Sequence, residues 1–524
     1  MTQRQALKIM QAGHNVFLTG PPGTGKTYLL KTFIQWAKKN RKKIAVTAST
    51  GIAASQISGT TFHSWSSIGL KNSLNITEHK ILVGSDKVIK KYQQTDILII
   101  DEISMLDNIR FDLVNDLAQE IRGNDLPFGG IQLILVGDFF QLPPIDQNRG
   151  ADFVFKSATW YQADLRICYL NHQHRQEEGD HLLDILIKMR NNQIDQTAIN
   201  VLKERIKVAN QPIKKIYTEL YSHNVDVDQI NAHRLSLINQ QLIVFRAETI
   251  GKSKDVNKLL KNILVPINLE LKIGCQIMMV INNFKAGYFN GSLGEVIGFK
   301  DDKPIVRLQK GSIIVVDKFS WKLFDEQDKL QAEVIQFPIR LAWAITIHKS
   351  QGMSLDAALI DLTKSFSLGM GYVALSRVRS LDGLYLKGFN DRSLQLAQEV
   401  YDLDFSLRYF SKVNDLTKKD LFIDELDQIY SNNNLIDQVL FEKLIDWRTI
   451  TLKTKANILD VLPDSILEII AVLKPFNRYQ LESLPGMNNH QAKQYLKELL
   501  SIIKNHALED LDLVRVYSSN KFQE

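Results

Sequence analysis

Cysteine is almost missing: only Cys168 and Cys275 occur in 524 residues, far apart and in no CxxC spacing. That excludes a disulfide framework and a cysteine-built zinc site, and it points to two core thiols in a reducing compartment. No uninterrupted apolar run approaches the roughly 18 residues that a membrane-crossing helix needs, so no membrane partner is expected. Strong charge of either sign is missing too. The 64 basic and 58 acidic residues leave a net +6, which permits a polyanionic partner without demonstrating one. What remains is the composition of an ordinary globular protein, 44% hydrophobic and 23% charged, long enough for about three or four domains.

The chemistry starts at Gly20–Thr27, GPPGTGKT, which fits the phosphate-binding pattern G-x-x-x-x-G-K-[ST] between an apolar run, Asn15–Thr19, and a helical run, Tyr28–Lys39. Glycines let backbone N–H groups curl around phosphate oxygens at a helix N-terminus, where the dipole favours anions. Gly20, Pro22, Gly23, Thr24 and Gly25 would form that cradle, Lys26 would reach the β- and γ-phosphates, and Thr27 would place its hydroxyl on Mg²⁺. ATP and Mg²⁺ are the expected cofactors. The loop begins at residue 20, too close to Met1 for a removable leader, and a cytoplasmic location is expected.

Asp96–Glu102, DILIIDE, reads as a buried strand ending in two carboxylates, where a parallel-sheet NTPase needs them. Asp101 would hold Mg²⁺ with Thr27, and Glu102 would orient or deprotonate the attacking water. Leu133–Val136 is a second such strand, leading into GDFFQLPPI; there Gln141 can sense a γ-phosphate and the Pro143–Pro144 pair stiffens the loop. Arg175, ending a strand-like Leu170–Gln176, and Arg377, near a helix end in GYVALSRVRS, are candidate arginine fingers.

Other segments suit a polymer. Thr47–Trp65 crowds small and hydroxylated residues after the strand Ile44–Thr47; such residues allow close approach to phosphates, with Phe62, His63 and Trp65 as candidates for stacking on bases. Asn224 lies in a strand, loop and helix segment over Leu220–Leu235. Thr346, His348, Lys349, Ser350 and Gln351 form a dense polar run before Gly352 and read as a binding loop. Near the start, a helix over Thr2–Gln11 with Thr2 as its cap carries Gln5. Ser66–Gln94 is less regular, and no function is legible in it.

Taken in order, GPPGTGKT, TASTGIAAS, GTTFHSW, DEISML, GDFFQLPP, HRQ, TIHKSQG and VALSRVR resemble the motifs of superfamily 1 helicases, specifically the PIF-one type of the RecD-like branch, over roughly Met1–Asp404. The resemblance implies two RecA-like domains clamping ATP, single-stranded DNA across their top and 5′-to-3′ translocation. It also implies adenine contact by Gln5, γ-phosphate sensing by Gln141, Arg175 and Arg377, and DNA contacts at Thr50, Gly51, His63, Phe139, Asn224, Thr346 and His348. One departure is His174, standing where the family usually has an aromatic residue before the Arg-Gln pair.

Asp415–Asn434 is charge-rich and linker-like. Phe441–His506 is similar to the HRDC domain on the strength of LIDWR, LPDSIL, LESLPGM and a closing helix. Such a module could bind DNA weakly, bind protein, or only cap the fold.

The expected fold is α/β: two RecA-like P-loop domains with an inserted small β-barrel, plus a C-terminal all-α helical domain. Residues 1–170 are assigned to the first RecA-like domain, 171–262 and 339–404 to the second, 263–338 to the barrel, 405–440 to a linker, 441–506 to the HRDC-like domain and 507–524 to a tail. The expected activity is that of an ATP-dependent 5′-to-3′ DNA helicase acting on single-stranded DNA and DNA junctions in replication, recombination or repair, and the free protein is expected to be a monomer. A strand-tracking remodeller that displaces proteins without unwinding, a motor coupled to a partner nuclease, and an RNA track stay open as alternatives.

Overall fold

The fold comes from a computed structural model that describes residues 1–69, 71–144, 152–173, 180–210, 217–221, 227–263, 265–281, 283, 285–288, 290–309, 311–324, 330–348, 350–365, 367–413, 436–454, 462–487 and 489–520. Strands β1 (Val16–Thr19), β2 (Ile44–Ala48), β3 (Thr60–Thr61), β4 (Ile97–Asp101), β5 (Gln132–Val136) and β6 (Arg166–Tyr169) form a six-stranded parallel sheet, in the order β3-β2-β4-β5-β1-β6. Strand alternation divides its side chains between two cores. Val16, Leu18, Ile97, Ile99, Ile134 and Val136 face α1 (Gln3–Gln11) and α2 (Lys26–Lys39). Phe17, Leu98, Ile100, Leu133 and Leu135 face the other way, into a larger core. The near-continuous apolar runs follow from burial on both faces.

After α3 (Gly51–Gln56) and α4 (Phe62–Ser66), the stretch without a legible function folds as α5 (Ile76–Val83) and α6 (Asp86–Gln94). Then come α7 (Asn108–Arg122) and α8 (Ala158–Gln162). β6 ends at Tyr169, so the strand sits before Leu170, and residues 170–173 of the segment expected to be strand-like, 170–176, are not strand; residues 174–176 lie outside the described residues. Cys168 within it and Cys275 are free and buried, and burial pushes their thiols up to about 12 and about 11.

The second domain contributes α9 (His181–Arg190), α10 (Gln196–Ala209), β7 (Thr218–Tyr221) and α11 (Val227–Ser236) before an insertion interrupts it. In the insertion, β8 (Ile243–Arg246), β9 (Glu248–Gly251) and α12 (Ser253–Asn262) precede β10 (Asn268–Leu271), β11 (Gln276–Met279), β12 (Leu293–Lys300), β13 (Lys303–Leu308), β14 (Ile313–Val315), β15 (Phe319–Phe324), β16 (Leu330–Gln336) and β17 (Ile339–Leu341). β10 to β13 and β17 pack around Leu271, Cys275, Ile277, Val306, Phe337 and Ile339, while α12, β15 and β16 share a second cluster with Leu259, Trp321, Ala332 and Val334. Residue 263 is too late as the start of the insertion: β8 pairs with β10 and β9 with β16, so strands on both sides of that boundary share sheets. β9 is exposed throughout and carries no apolar run, whereas β8 does have one, Leu242–Phe245, with Phe245 packed against the core of the insertion.

The chain then returns through β18 (Ala344–Thr346), β19 (Ala358–Leu362), α13 (Met370–Leu375) and β20 (Leu384–Phe389) to complete a parallel sheet ordered β18-β7-β19-β20. α14 (Gln398–Val413) runs straight through Asp404, so residues 405–413 are helix and not linker. Its buried face explains this: Leu407 and Phe410 are core residues, and Ser411 Oγ accepts from Tyr169 N at 2.9 Å.

α15 (Gln438–Thr454), α16 (Asp464–Leu473), α17 (Arg478–Glu482) and α18 (Asn489–Asn520) make up the C-terminal helical domain. α18 continues past the expected boundary at 506, so the assigned tail is helical as far as Asn520. The domain docks on the first one, where Asn477 Nδ2 donates to Leu165 O at 3.3 Å and the Arg166 guanidinium lies 3.7 Å from the Tyr479 ring centroid. The charge-rich segment 415–434 lies outside the described residues. Among the described residues, no helix is long and apolar enough to cross a membrane.

Candidate nucleotide site and strand interface

The loop after β1 is shaped by its glycines. Gly20 has φ +139°, and a Cβ there would run into Leu170 O. Gly25, with φ +84°, occupies the N-cap of α2 without any side-chain cap bond, which leaves the first helical N–H groups aimed into the loop, the arrangement that receives phosphate. Lys26 Nζ folds back to donate to Gly20 O at 2.6 Å and Pro21 O at 3.1 Å. Thr24 Oγ1 donates to Pro21 O at 2.9 Å, and Gln3 Nε2 reaches Thr24 O at 3.1 Å, tying α1 to the loop. Gln5 belongs to that helix's capping box: its Oε1 accepts from Thr2 N at 2.8 Å.

Asp101 and Glu102 leave β4 beside this loop. Strand alternation would send consecutive side chains to opposite faces, but Glu102 has φ +53°, and both carboxylates line one cleft. The left-handed turn is held by Ser49, whose Oγ donates to Glu102 O at 2.7 Å and whose N donates to Asp101 O at 3.1 Å. Burial, and then the Glu102 charge, push the Asp101 carboxyl up to about 7, against the Glu102 amide and the ammonium groups of Lys26 and Lys31. Glu102 is raised by burial too, with Arg377, Lys26 and a hydrogen bond from Gln351 pulling the other way. Buried carboxylates whose charge Lys26, Lys31 and Arg377 only partly offset, in a cleft that Thr27 also lines, suit a divalent cation that the phosphates would help to hold.

The second domain closes the cleft, a space of about 220 Å³ lined by Thr27, Thr50, Asp101, Glu102, His348 and Gln351 among others. Arg377 is 2% exposed. Its Nη2 donates to Gln141 Oε1 at 3.3 Å and to Ser376 Oγ at 2.8 Å, while Nε donates to Val373 O at 2.9 Å. Behind Gln141, Asp138 accepts from Arg190 Nη1 at 2.8 and 2.9 Å. The same guanidinium donates to Tyr372 Oη at 2.9 Å, Tyr169 Oη at 2.8 Å and Asp404 Oδ1 at 3.1 Å, and lies 4.2 Å from the Phe140 ring centroid. Sequence reasoning missed Asp138 and Arg190. No local signal marks them, because the partners of Arg190 lie 52, 182 and 214 residues away for Asp138, Tyr372 and Asp404.

The expected strand contacts divide. Thr50 and Gly51 open α3, Thr346 ends β18, and His348 follows in the next turn; Thr50 and His348 share the cleft. Burial lowers the His348 pKa. His63, on α4, is lowered by burial and then by Arg110, with Asp107 opposing. Phe139 does not reach a surface: it is 4% exposed, with its ring centroid 4.9 Å from Phe155 and 5.3 Å from Phe17. Phe62 and Trp65 are buried as well, so none of these three presents a face for a base to stack on. An aromatic residue in a motif reads the same whether it packs a core or stacks on a base. Arg175, Asn224 and Lys349 lie outside the described residues.

Residues 2–198 match the family described as PIF1-like helicase, and residues 437–503 match the HRDC domain. The chain is 41% identical over 460 residues to the ATP-dependent DNA helicase Pif1 of Psychrobacter sp. (strain PRwf-1), across 76% of this chain and 69% of that protein. It is similar in structure to unliganded Pif1 from Bacteroides sp, with TM-score 0.68 and 30% identity over 78% of this chain and 96% of that one. The crystal structure of Bacteroides Pif1 with ADP-AlF3 and single-stranded DNA gives TM-score 0.53 at 30% identity, covering 79% of this chain and 97% of that one.

Proposed function

The chain belongs to the PIF1-like helicases, with an HRDC domain toward its C-terminus, and on that footing we propose that it tracks single-stranded DNA from 5′ to 3′ and opens duplexes or junctions ahead of it. It is an ATP-dependent DNA helicase that uses ATP with Mg²⁺. The observation that best supports strand tracking is the shared cleft, where candidate nucleotide residues and candidate strand residues line one space between two domains; the 5′-to-3′ direction rests on the resemblance alone.

In this reading Gly20, Pro22, Gly23, Thr24 and Gly25 cradle the phosphates, Gln5 meets the adenine, and Lys26 leaves its loop carbonyls for the β- and γ-phosphates. Thr27 and Asp101 hold Mg²⁺. Bound Mg-ATP supplies the phosphoryl group whose transfer to water drives the cycle. Glu102 orients that water and takes its proton, while Gln141 and Arg377 meet the charge that develops on the γ-phosphate. The resemblance adds Arg175 to this set and Asn224 to the strand contacts. Thr50 and Gly51 grip the strand from the first domain, Thr346 and His348 from the second, so closure on ATP changes the spacing between two grips. The free protein is a monomer in the cytoplasm, and its HRDC domain recruits DNA or protein.

The test is ATP-driven strand separation on two partial duplexes, one with a 5′ tail and one with a 3′ tail, with Lys26→Ala as the blank. Separation of the 5′-tailed substrate alone is expected. Equal separation of both overturns the polarity, and strand-stimulated hydrolysis without separation overturns unwinding.

A further inference from the structure

Gln351 Nε2 donates to Glu102 Oε2 at 3.1 Å, from the second domain to the first, and Gln351 is 8% exposed at the side of the shared cleft. Its position is set by a tight turn after β18. Ser350 N donates to Thr346 O at 3.0 Å and Ile347 O at 3.1 Å, Ser350 Oγ to Ile347 O at 2.7 Å, Gln351 N to His348 O at 3.3 Å, and Met353 N to Ser350 O at 3.0 Å. Thr346, His348 and Gln351 therefore ride on one internally bonded piece. The turn is seated against the first domain: a Cβ on Gly352 would stand 3.0 Å from Gln56 Oε1 of α3.

Glu102 does not ride with it. Its backbone is fixed to the first domain by Ser49, so any withdrawal of the turn breaks the bond between Gln351 and Glu102. While that bond stands, the carboxylate is directed at the second domain and shares its acceptor capacity with an amide, which makes it a poorer partner for a water at the phosphate.

We propose that Gln351 restrains the hydrolytic carboxylate: without a strand its amide holds Glu102, and a strand bound through Thr346 and His348 draws the turn away and releases it. Gln351 is thus a positioning residue through which the track controls hydrolysis. The inference rests on the roles proposed above for Glu102, Thr346 and His348.

The experiment measures kcat and KM for ATP hydrolysis by the full chain, with and without saturating oligothymidylate. It compares the wild type with Gln351→Ala, Gln351→Met and Glu102→Gln. Met keeps the length of the side chain without the donor, and thermal unfolding of each variant reports its integrity. Both Gln351 variants are expected to raise the strand-free kcat about tenfold, the size of one lost hydrogen bond to a charged group, with the strand-saturated kcat and the KM held within about twofold. The stimulation by strand then falls about tenfold. A structural loosening would alter the strand-free and the strand-saturated rates together, so a rise confined to the strand-free rate separates restraint from it. Folded variants with an unchanged or lowered strand-free rate overturn the restraint, and a loss confined to the strand-saturated rate assigns Gln351 the opposite, activating role. Glu102→Gln separates the two levels of the argument: hydrolysis surviving in that variant means that the reading of the site itself has failed.

Discussion

Arg377 and Gln141 meet across the boundary between the two domains, Nη2 to Oε1 at 3.3 Å. The guanidinium is rigid because Val373 O and Ser376 Oγ hold its other edges. Arg377→Ala is expected to lower kcat for ATP hydrolysis about a thousandfold. Arg377→Lys should recover little of that, since a lysine keeps the charge but not the planar fork. Steady-state kinetics decide it; near-normal turnover in the lysine variant would show that charge alone suffices.

Phe139→Ala should behave as a core deletion. Its ring packs against Phe17, Phe153, Phe155 and Trp160, so the expected cost is about 3–5 kcal/mol of stability. Affinity of the folded protein for oligothymidylate should not change. Fluorescence anisotropy at a temperature where the variant is folded tests this, and a selective loss of binding would return Phe139 to the strand.

Arg190→Met leaves Asp138 buried without its cation, while Asp404 keeps Arg408 at 2.6 Å. Removing one member of such a set costs about 3–5 kcal/mol, and the thermal transition of the two motor domains should fall accordingly. Because Asp138 also lies 3.5 Å from Gln141 Nε2, the folded variant should hydrolyse ATP more slowly at an unchanged KM. Wild-type stability in this variant would contradict the burial argument.

Asp437 supplies a pH dependence. Burial raises its pKa, but hydrogen bonds with His506, Lys474 and the Leu440 amide outweigh that and hold the carboxyl well below the usual range. A depressed folded-state pKa stabilises the helical domain at pH above about 4, the unfolded value, and this contribution is lost as pH falls further. Hydrogen exchange of α15 and α18 in the full chain should therefore show less protection at pH 3 than at pH 7. Asp437→Asn should lower protection at pH 7 and flatten the pH response; an unaltered response would remove Asp437 as its origin.

The parts legible in the sequence were those with local causes. The glycine pattern of Gly20–Thr27 and the apolar runs ending at Asp101 and Val136 carry their meaning within a few residues, and they locate β1, β4, β5 and the loop between β1 and α2. Pairings between distant segments left no such trace. Arg190 reads as one more surface arginine, and Gln351 as one amide in a polar run, until the fold brings up partners 52 and 249 residues away. β9 is hidden for another reason, since its exposed residues, Glu248–Gly251, carry no apolar run by which a strand is read.

Tyr169 and Ser411 stand side by side, yet 242 residues of chain separate them. Everything between them, the second domain and its insertion, is a loop whose two ends are fastened to one corner of the first sheet. Two attachment points so close together constrain the unit between them: a turn about that corner disturbs fewer bonds than a slide along the edge of the sheet. Residues at the corner, far from the nucleotide cleft in sequence, thereby help to fix how the two domains face each other.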